Sequence, residues 1–345
     1  MILIWLKFAI CVAIIFFSGK RVAKYGDIIA EKTGLGGLWI GVILVAIATS
    51  LPEIFTGVGS TVFVNAPDLT VGNLFGVNTY NLLNISLLDF LNKGSPLLSS
   101  ISIGQLLIAG LSLIPLLIAS IGIFLSIRLP QLSFMNISLY SILILIVYLI
   151  AVRTIFRFER NQQQIMKELK KEEEILLKYN DTPLKKACIL YVLFAIMIAG
   201  AGIWLAYIGE ELAQLLSLGQ NFIGSLFLGF ATTLPEITVS VAALRIGAKE
   251  LAIANMLGSN LFNMSIIFIN DVLYRKGPIF TAISQQHIFT AFIVFFMTTI
   301  ICVSLVLKPK KKTKLGFSNY AIGLIIIFIV GTYINFIAVH KNQIL

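Results

Sequence analysis

Ten apolar stretches, each near the length that crosses a bilayer, constrain this chain before any motif is considered. Roughly 20 apolar residues span the hydrocarbon as a helix. The stretches expected to do so cover residues 2–19, 37–62, 70–91, 103–126, 134–152, 187–208, 221–245, 251–271, 288–307 and 318–338. With 58% hydrophobic and 12% charged residues and a mean hydropathy of +0.96, the chain reads as an all-α polytopic membrane protein. Each polar residue inside a span therefore needs a reason.

The net charge of +10 does not point to nucleic acid. With residues 153–186 placed in the cytoplasm and the loops alternating, 21 of the 26 Lys and Arg fall inside, among them the five lysines of "LKPKKKTK". Only Arg128, Arg275, Lys276 and Lys341 fall outside, and Lys7 can snorkel from the first span. This asymmetry is the positive-inside bias, and it predicts a multi-pass protein of the cell membrane with both termini outside. The N-terminus lacks the basic region and small-residue cleavage site of a signal peptide. Cys11, Cys188 and Cys302 stand singly in apolar runs, and His287 and His340 read as interfacial residues.

The chain repeats itself. Residues 36–58 align with 219–241 at an offset of 183, pairing Gly36/Gly219, Gly41/Gly224, Ala48/Ala231, Thr49/Thr232, Pro52/Pro235, Glu53/Glu236 and Ile54/Ile237 among others. At an offset of 182, "GNLFGVNTYN" matches "ANMLGSNLFN", pairing Asn73/Asn255, Gly76/Gly258, Asn78/Asn260 and Asn81/Asn263. Five spans per half is an odd number, so the second copy enters the membrane from the opposite side. The expected architecture is two inverted five-helix repeats, residues 1–152 and 187–345, with paired motifs at 36–84 and 219–266. The charged segment 153–186 reads as a solvated cytoplasmic linker, helical in part. Gly41, Gly57, Gly59, Gly224 and Gly229 read as helix-packing contacts. Asp89–Lys93 and Asp271–Arg275 read as self-neutralising pairs one helical turn apart.

Pro52 and Pro235 read as helix breaks, each freeing the carbonyl four residues earlier. In hydrocarbon an orphan carbonyl is costly, and a bound cation would satisfy it. Thr49, Ser50, Thr232 and Thr233 add hydroxyls, Glu53 and Glu236 add carboxylates, and Asn81 and Asn263 add amide oxygens. These are the oxygen donors a hard cation prefers, with no thiolate or imidazole among them. Two carboxylates match one divalent ion, and calcium gives up its water more readily than magnesium.

At "ATSLPEIFTG", "GNLFGVNTYN", "ATTLPEITVS" and "GSNLFN" the sequence resembles the cation/calcium exchanger superfamily, of the sodium/calcium exchanger type. The resemblance spans nearly the whole chain. It implies ten helices, alternating access by sliding of the first helix of each half, and calcium and sodium bound as transported substrates, with no cofactor. It further implies calcium ligation by the Glu53 and Glu236 carboxylates and the Thr49 and Thr232 carbonyls. Ser50, Thr233, Ser259, Asn81, Asn263 and the Ala46 and Gly229 carbonyls would complete sodium or water sites. Two positions depart from the pattern: Val77 stands where the family often has Ser, and Asn263 where some members, including potassium-dependent ones, have Asp. The expected activity is sodium/calcium antiport. Proton/calcium antiport is the near alternative, and a channel is the rival of another class. An intramembrane enzyme would need a nucleophile–base pair or a zinc motif, and neither is visible.

Overall fold

The computed structural model describes residues 1–33, 47–126, 128–129, 133–169 and 182–344. The start of the expected second span, with Gly36, Ile40, Gly41 and Ala46, lies outside these residues, as do linker residues 170–181 and the side chain of His340. The principal helices are α1 (Ile2–Lys32), α2 (Leu51–Val64), α3 (Pro67–Leu91), α4 (Gly104–Ser126), α5 (Leu139–Leu169) and α6 (Leu184–Leu216). They continue as α7 (Gln220–Thr232), α8 (Leu234–Arg245), α9 (Lys249–Leu273), α10 (His287–Leu307) and α11 (Asn319–Ile344). A two-stranded antiparallel turn, Ser133–Phe134 against Ile137–Ser138, precedes α5.

Among the described residues, seven helices are long and apolar enough to cross a membrane: α1, α4, α5, α6, α9, α10 and α11. The pair α7 and α8, bent by 42° at Thr233, makes an eighth when taken as one span. Helix α3 is 25 residues long but is not among them; Asn73, Asn78, Asn81 and Asn84 dilute its apolar character, and all four are buried. Helices α1 and α6 run well past the expected ends at residues 19 and 208, to Lys32 and Leu216.

Burial is graded across the bundle. Helix α9 buries 78% of its most apolar window, whereas α11 buries 17%. The outer helices turn large apolar residues outward, including Leu149, Ile150, Phe292, Phe296, Ile329 and Tyr333. In lipid such a surface carries no penalty, since the surrounding tails are as apolar as the side chains. The main apolar core joins α3, α4, α9 and α10, while α1 and α6 pack along each other around Cys11, Ile15, Leu205 and Leu212.

Asp89 and Asp271 correct one expectation from the sequence: neither pairs with the basic residue one turn on. Asp89 accepts hydrogen bonds from the backbone N–H groups of Leu97 and Ser318, both at 2.8 Å, and from the Tyr320 hydroxyl at 2.7 Å. Its remaining cation is Lys312, at 3.8 Å. Asp271 accepts from Ile279 N at 2.6 Å, Ser138 N at 2.7 Å and the Ser141 hydroxyl. Leu97 and Ile279 stand at the repeat offset, so each half carries the same clamp, in which a carboxylate at a helix end holds the following loop and the start of another helix. The physical reason is supply: a buried carboxylate is satisfied by several convergent N–H donors, which a solvated Lys93 or Arg275 does not match. His287, at the start of α10, does not face outward. It is fully buried, and its Nε2 lies 2.8 Å from Asp68 Oδ1, which also accepts from Ser284 N.

Replacing Asp89 or Asp271 with Ala leaves at least three donors orphaned. Each variant is expected to lose about 3 kcal/mol or more, read as a lower melting temperature in detergent. Unchanged melting of both variants would remove the clamp from the account.

Candidate ion-binding centre

The two Pro-Glu motifs take the same local form, and it is not a proline inside a continuous helix. The chain breaks at Ser50 (φ −89°, ψ 10°) and at Thr233 (φ −74°, ψ −8°), and a new helix starts at Leu51 and Leu234. Pro52 and Pro235 therefore occupy the first turn of α2 and α8, where a missing N–H costs nothing. Glu53 and Glu236 follow in the same first turns, where the helix N-terminus favours negative charge. The Ser50 and Thr233 carbonyls still accept from Ile54 N (3.2 Å) and Ile237 N (3.1 Å).

Both carboxylates are completely buried and lie close enough to interact electrostatically. Among the described residues no third Asp, Glu, His or Cys joins them, and no ion pair neutralises either. Both oxygens of Glu53 and Oε2 of Glu236 have no hydrogen-bond partner. Glu236 Oε1 accepts from the Ser50 hydroxyl at 3.3 Å, a contact that crosses between the two motifs.

Around them is a buried shell of hydroxyls and amides. Thr233 Oγ1 donates to Asn81 Oδ1 at 2.8 Å. Thr232 Oγ1 lies 3.0 Å from Asn73 Oδ1 and 3.1 Å from the Leu228 carbonyl. Helices α3 and α9 are joined by reciprocal amide bonds that repeat at the offset of 182. Asn81 Nδ2 donates to Asn260 Oδ1 at 3.0 Å, and Asn263 Nδ2 to Asn78 Oδ1 at 3.1 Å. Asn260 Nδ2 donates to the Asn78 carbonyl at 3.1 Å, answered by Asn78 Nδ2 to the Asn260 carbonyl at 3.4 Å. Asn255 Nδ2 holds the Glu236 carbonyl at 3.2 Å and Ser240 Oγ at 3.0 Å. Asn78, Asn260, Asn73 and Asn255 were visible as repeat-paired asparagines, but nothing in the sequence distinguished an amide that cross-links helices from one that faces an ion.

Glu53, Glu236, Thr49, Ser50, Thr232, Thr233, Asn81, Ser259 and Asn263 are all buried. Hydrogen bonds join Ser50 to Glu236, Thr233 to Asn81, and Asn81 through Asn260 and Asn78 to Asn263, while Ser259 is placed only by its position on α9. Ser259 Oγ and Asn263 Oδ1 have no hydrogen-bond partner. The Gly229 carbonyl accepts from Thr233 N at 3.2 Å. Val77 is buried with its backbone pressed against Gly229, where a Cβ would stand 3.0 Å from Val77 N. Ala46 lies outside the described residues.

A model of the family described as sodium/calcium exchanger protein matches residues 3–166 and 186–339, nearly the whole chain. The chain belongs to that family. This exchanger-family chain is therefore a multi-pass membrane transporter and not an enzyme. It is 23% identical over 279 residues to the inner membrane protein YrbG of Escherichia coli, covering 77% of this chain and 78% of YrbG. It is 21% identical over 276 residues to the putative antiporter CaxA of Alkalimonas amylolytica, covering 77% and 79%. Among solved structures it superposes on the sodium–calcium exchanger NCX_Mj with TM-score 0.55 at 20% identity, over 96% of this chain and 97% of that one. It superposes on the H+/Ca2+ exchanger CAX with TM-score 0.67 at 11% identity, over 98% and 87%. At these identities the superpositions establish the shared fold.

The partnered and unpartnered hydroxyls predict different consequences. Thr233→Val removes a donor to Asn81 and is expected to cost about 1 kcal/mol of stability. Ser259→Ala removes a hydroxyl with no partner and is expected to leave stability within about 0.5 kcal/mol while weakening ion binding. Melting curves with and without calcium separate the two.

Proposed function

We propose that the protein is a secondary antiporter exchanging calcium for sodium at a midplane site built on Glu53 and Glu236. The observation that carries this reading is the pair of fully buried carboxylates, near enough to feel each other's charge, with three oxygens unpartnered and, among the described residues, no ion pair to a basic side chain. Burying even one ionised group costs several kcal/mol unless its charge is met. A divalent cation meets both charges at once, and the neighbouring hydroxyl and amide oxygens suit calcium. Sodium ions reaching the same carboxylates would displace it, so the two substrates exclude each other. The ten-span architecture with two inverted halves, 153–186 cytoplasmic and both termini outside, is part of the same reading. So is the division of labour in which the Thr49 and Thr232 carbonyls serve calcium while Ser50, Thr233, Ala46, Gly229, Asn81, Ser259 and Asn263 serve sodium or water.

Alternating access draws support from an asymmetry between the halves. Gly19 of α1 and Gly202 of α6 stand at the repeat offset of 183. A Cβ on Gly19 would lie 2.7 Å from Pro235 Cβ, whereas one on Gly202 would lie 2.9 Å from Phe55 Cβ, three residues past the equivalent Pro52. Gly26 of α1 meets Ala48, whereas its counterpart Gly209 of α6 meets Leu228, three residues before the equivalent Ala231. In the inverted topology both differences displace α6 in one direction by about 4.5 Å, at 1.5 Å per helical residue. Two registers of the α1–α6 pair, exchanged between the halves, give two opposite-facing states.

A proton/calcium antiporter is the second reading. It is favoured by Asn263 and Val77, which leave the centre with two carboxylates and one hydroxyl fewer for sodium, and by the H+/Ca2+ exchanger among the superposed structures. Calcium uptake by proteoliposomes under sodium and proton gradients applied one at a time separates the two. Glu53→Gln and Glu236→Gln are each expected to lower calcium exchange at least a hundredfold, the loss from leaving a divalent ion half-balanced at about 2.7 kcal/mol or more, with the protein still inserted. Wild-type exchange by either variant would remove the two-carboxylate site.

A further inference from the structure

Hydroxyls on the helices of this protein ordinarily donate to the carbonyl one turn back. Thr79 does so to Phe75, Thr238 to Leu234, and Thr298 and Thr299 to Val294 and Phe295, at 2.8–2.9 Å. Thr56 and Ser60 of α2 do not. Both are fully buried, and neither hydroxyl has any partner. They follow Glu53 by three and seven residues, the spacing that lines up one helix face, and the Glu53 carboxylate on that face is itself unpartnered.

The neighbouring flank of α2 is satisfied, so poor packing does not explain the difference. There Thr61 Oγ1 meets Thr70 Oγ1 at 2.8 Å and Asn270 Oδ1 at 3.1 Å, and Thr70 reaches the Gly57 carbonyl at 3.2 Å. On another flank α6 closes over the helix: a Cβ on Gly202 would lie 2.9 Å from Thr56 N, and one on Gly59 2.9 Å from Ala206 Cβ. From Gly59 to Val64 the helix widens to a π-helix, a form associated with functional sites. The second half does not repeat the hydroxyls. At the offset of 183, Thr56 and Ser60 correspond to Val239 and Ala243, so the fold itself does not require them.

We infer that Thr56 and Ser60 form, with Glu53, a subsite for a partly hydrated transported cation. It lies between the central carboxylates and the surface at the Val64–Pro67 turn, which is the outer surface in the topology proposed above, and it rests on that proposed function. Neutral hydroxyl oxygens replace part of an ion's hydration shell without adding charge, so they hold it weakly enough to pass on. The apolar Val239 and Ala243 give the inner approach no such station, and the two faces differ in how they load.

The test is calcium exchange in right-side-out and inside-out vesicles, with calcium varied on one face at a time. Thr56→Val combined with Ser60→Ala copies the residues of the second half. The half-saturating calcium concentration is expected to rise on the order of tenfold when calcium acts from the Val64–Pro67 face, and to change less than twofold from the other. Thr56→Ser, which keeps the hydroxyl, is expected to retain the parent value. An equal change on both faces, no change on either, or the same loss in Thr56→Ser would overturn the subsite. A parent protein that exchanges no calcium from either face would instead overturn the antiporter reading on which it rests.

Discussion

Two buried carboxylates within electrostatic reach of each other, with no ion pair to meet them among the described residues, are the constraint on which the rest of the structure depends. Glu53 and Glu236 are fully buried, and the hydrogen bond their carboxylates accept comes from the Ser50 hydroxyl, to Glu236. Their charges come from opposite halves of the chain, so the fold must bring the halves together before the site exists. The breaks at Ser50 and Thr233 serve that end. They start fresh helices at Leu51 and Leu234 and so place each glutamate in a first turn, where unpaired N–H groups and the helix dipole partly compensate negative charge.

Around that centre the contacts are of two kinds, which the proposed alternating access would use as rigid and moving parts. The reciprocal amide bonds among Asn78, Asn81, Asn260 and Asn263 join α3 to α9, and the Asp89 and Asp271 clamps fix the loops beyond them. Buried polar networks of this kind are costly when incomplete, so they favour one arrangement strongly. Helices α1 and α6 instead touch the centre through glycines and apolar side chains, Gly19 on Pro235 and Gly202 on Phe55. Such contacts carry no directional bonds to break when one helix slides along another. The polar cross-links and the smooth contacts together fit a fixed scaffold and a moving pair.

Much of this was legible in the chain itself. The paired Pro-Glu motifs, the offsets of 183 and 182 and the apolar stretches depend on local composition and on self-comparison, and they pointed to carboxylates, hydroxyls and amides that the structure buries. What was not legible depends on which neighbours fold against a side chain. Asp89 and Asp271 looked like partners of Lys93 and Arg275 because helical spacing is all a sequence offers. Their true partners are N–H groups up to 229 residues away. His287 reads as interfacial from its position at a span end, but its burial against Asp68, 219 residues distant, was not legible. Thr56 and Ser60 carried no signal, since a helical hydroxyl that bonds its own backbone and one that faces an ion read alike.

The central claim is that one pair of carboxylates serves both substrates in turn. Calorimetric titration of calcium into the purified protein across a series of sodium concentrations, and again across a pH series, tests it most directly. A shared site predicts that the apparent calcium affinity falls steadily as sodium rises, or as pH falls if protons are the partner, and that the competition is lost in Glu53→Gln. Calcium affinity indifferent to both series would contradict the account and leave the glutamates in a structural or channel-lining role.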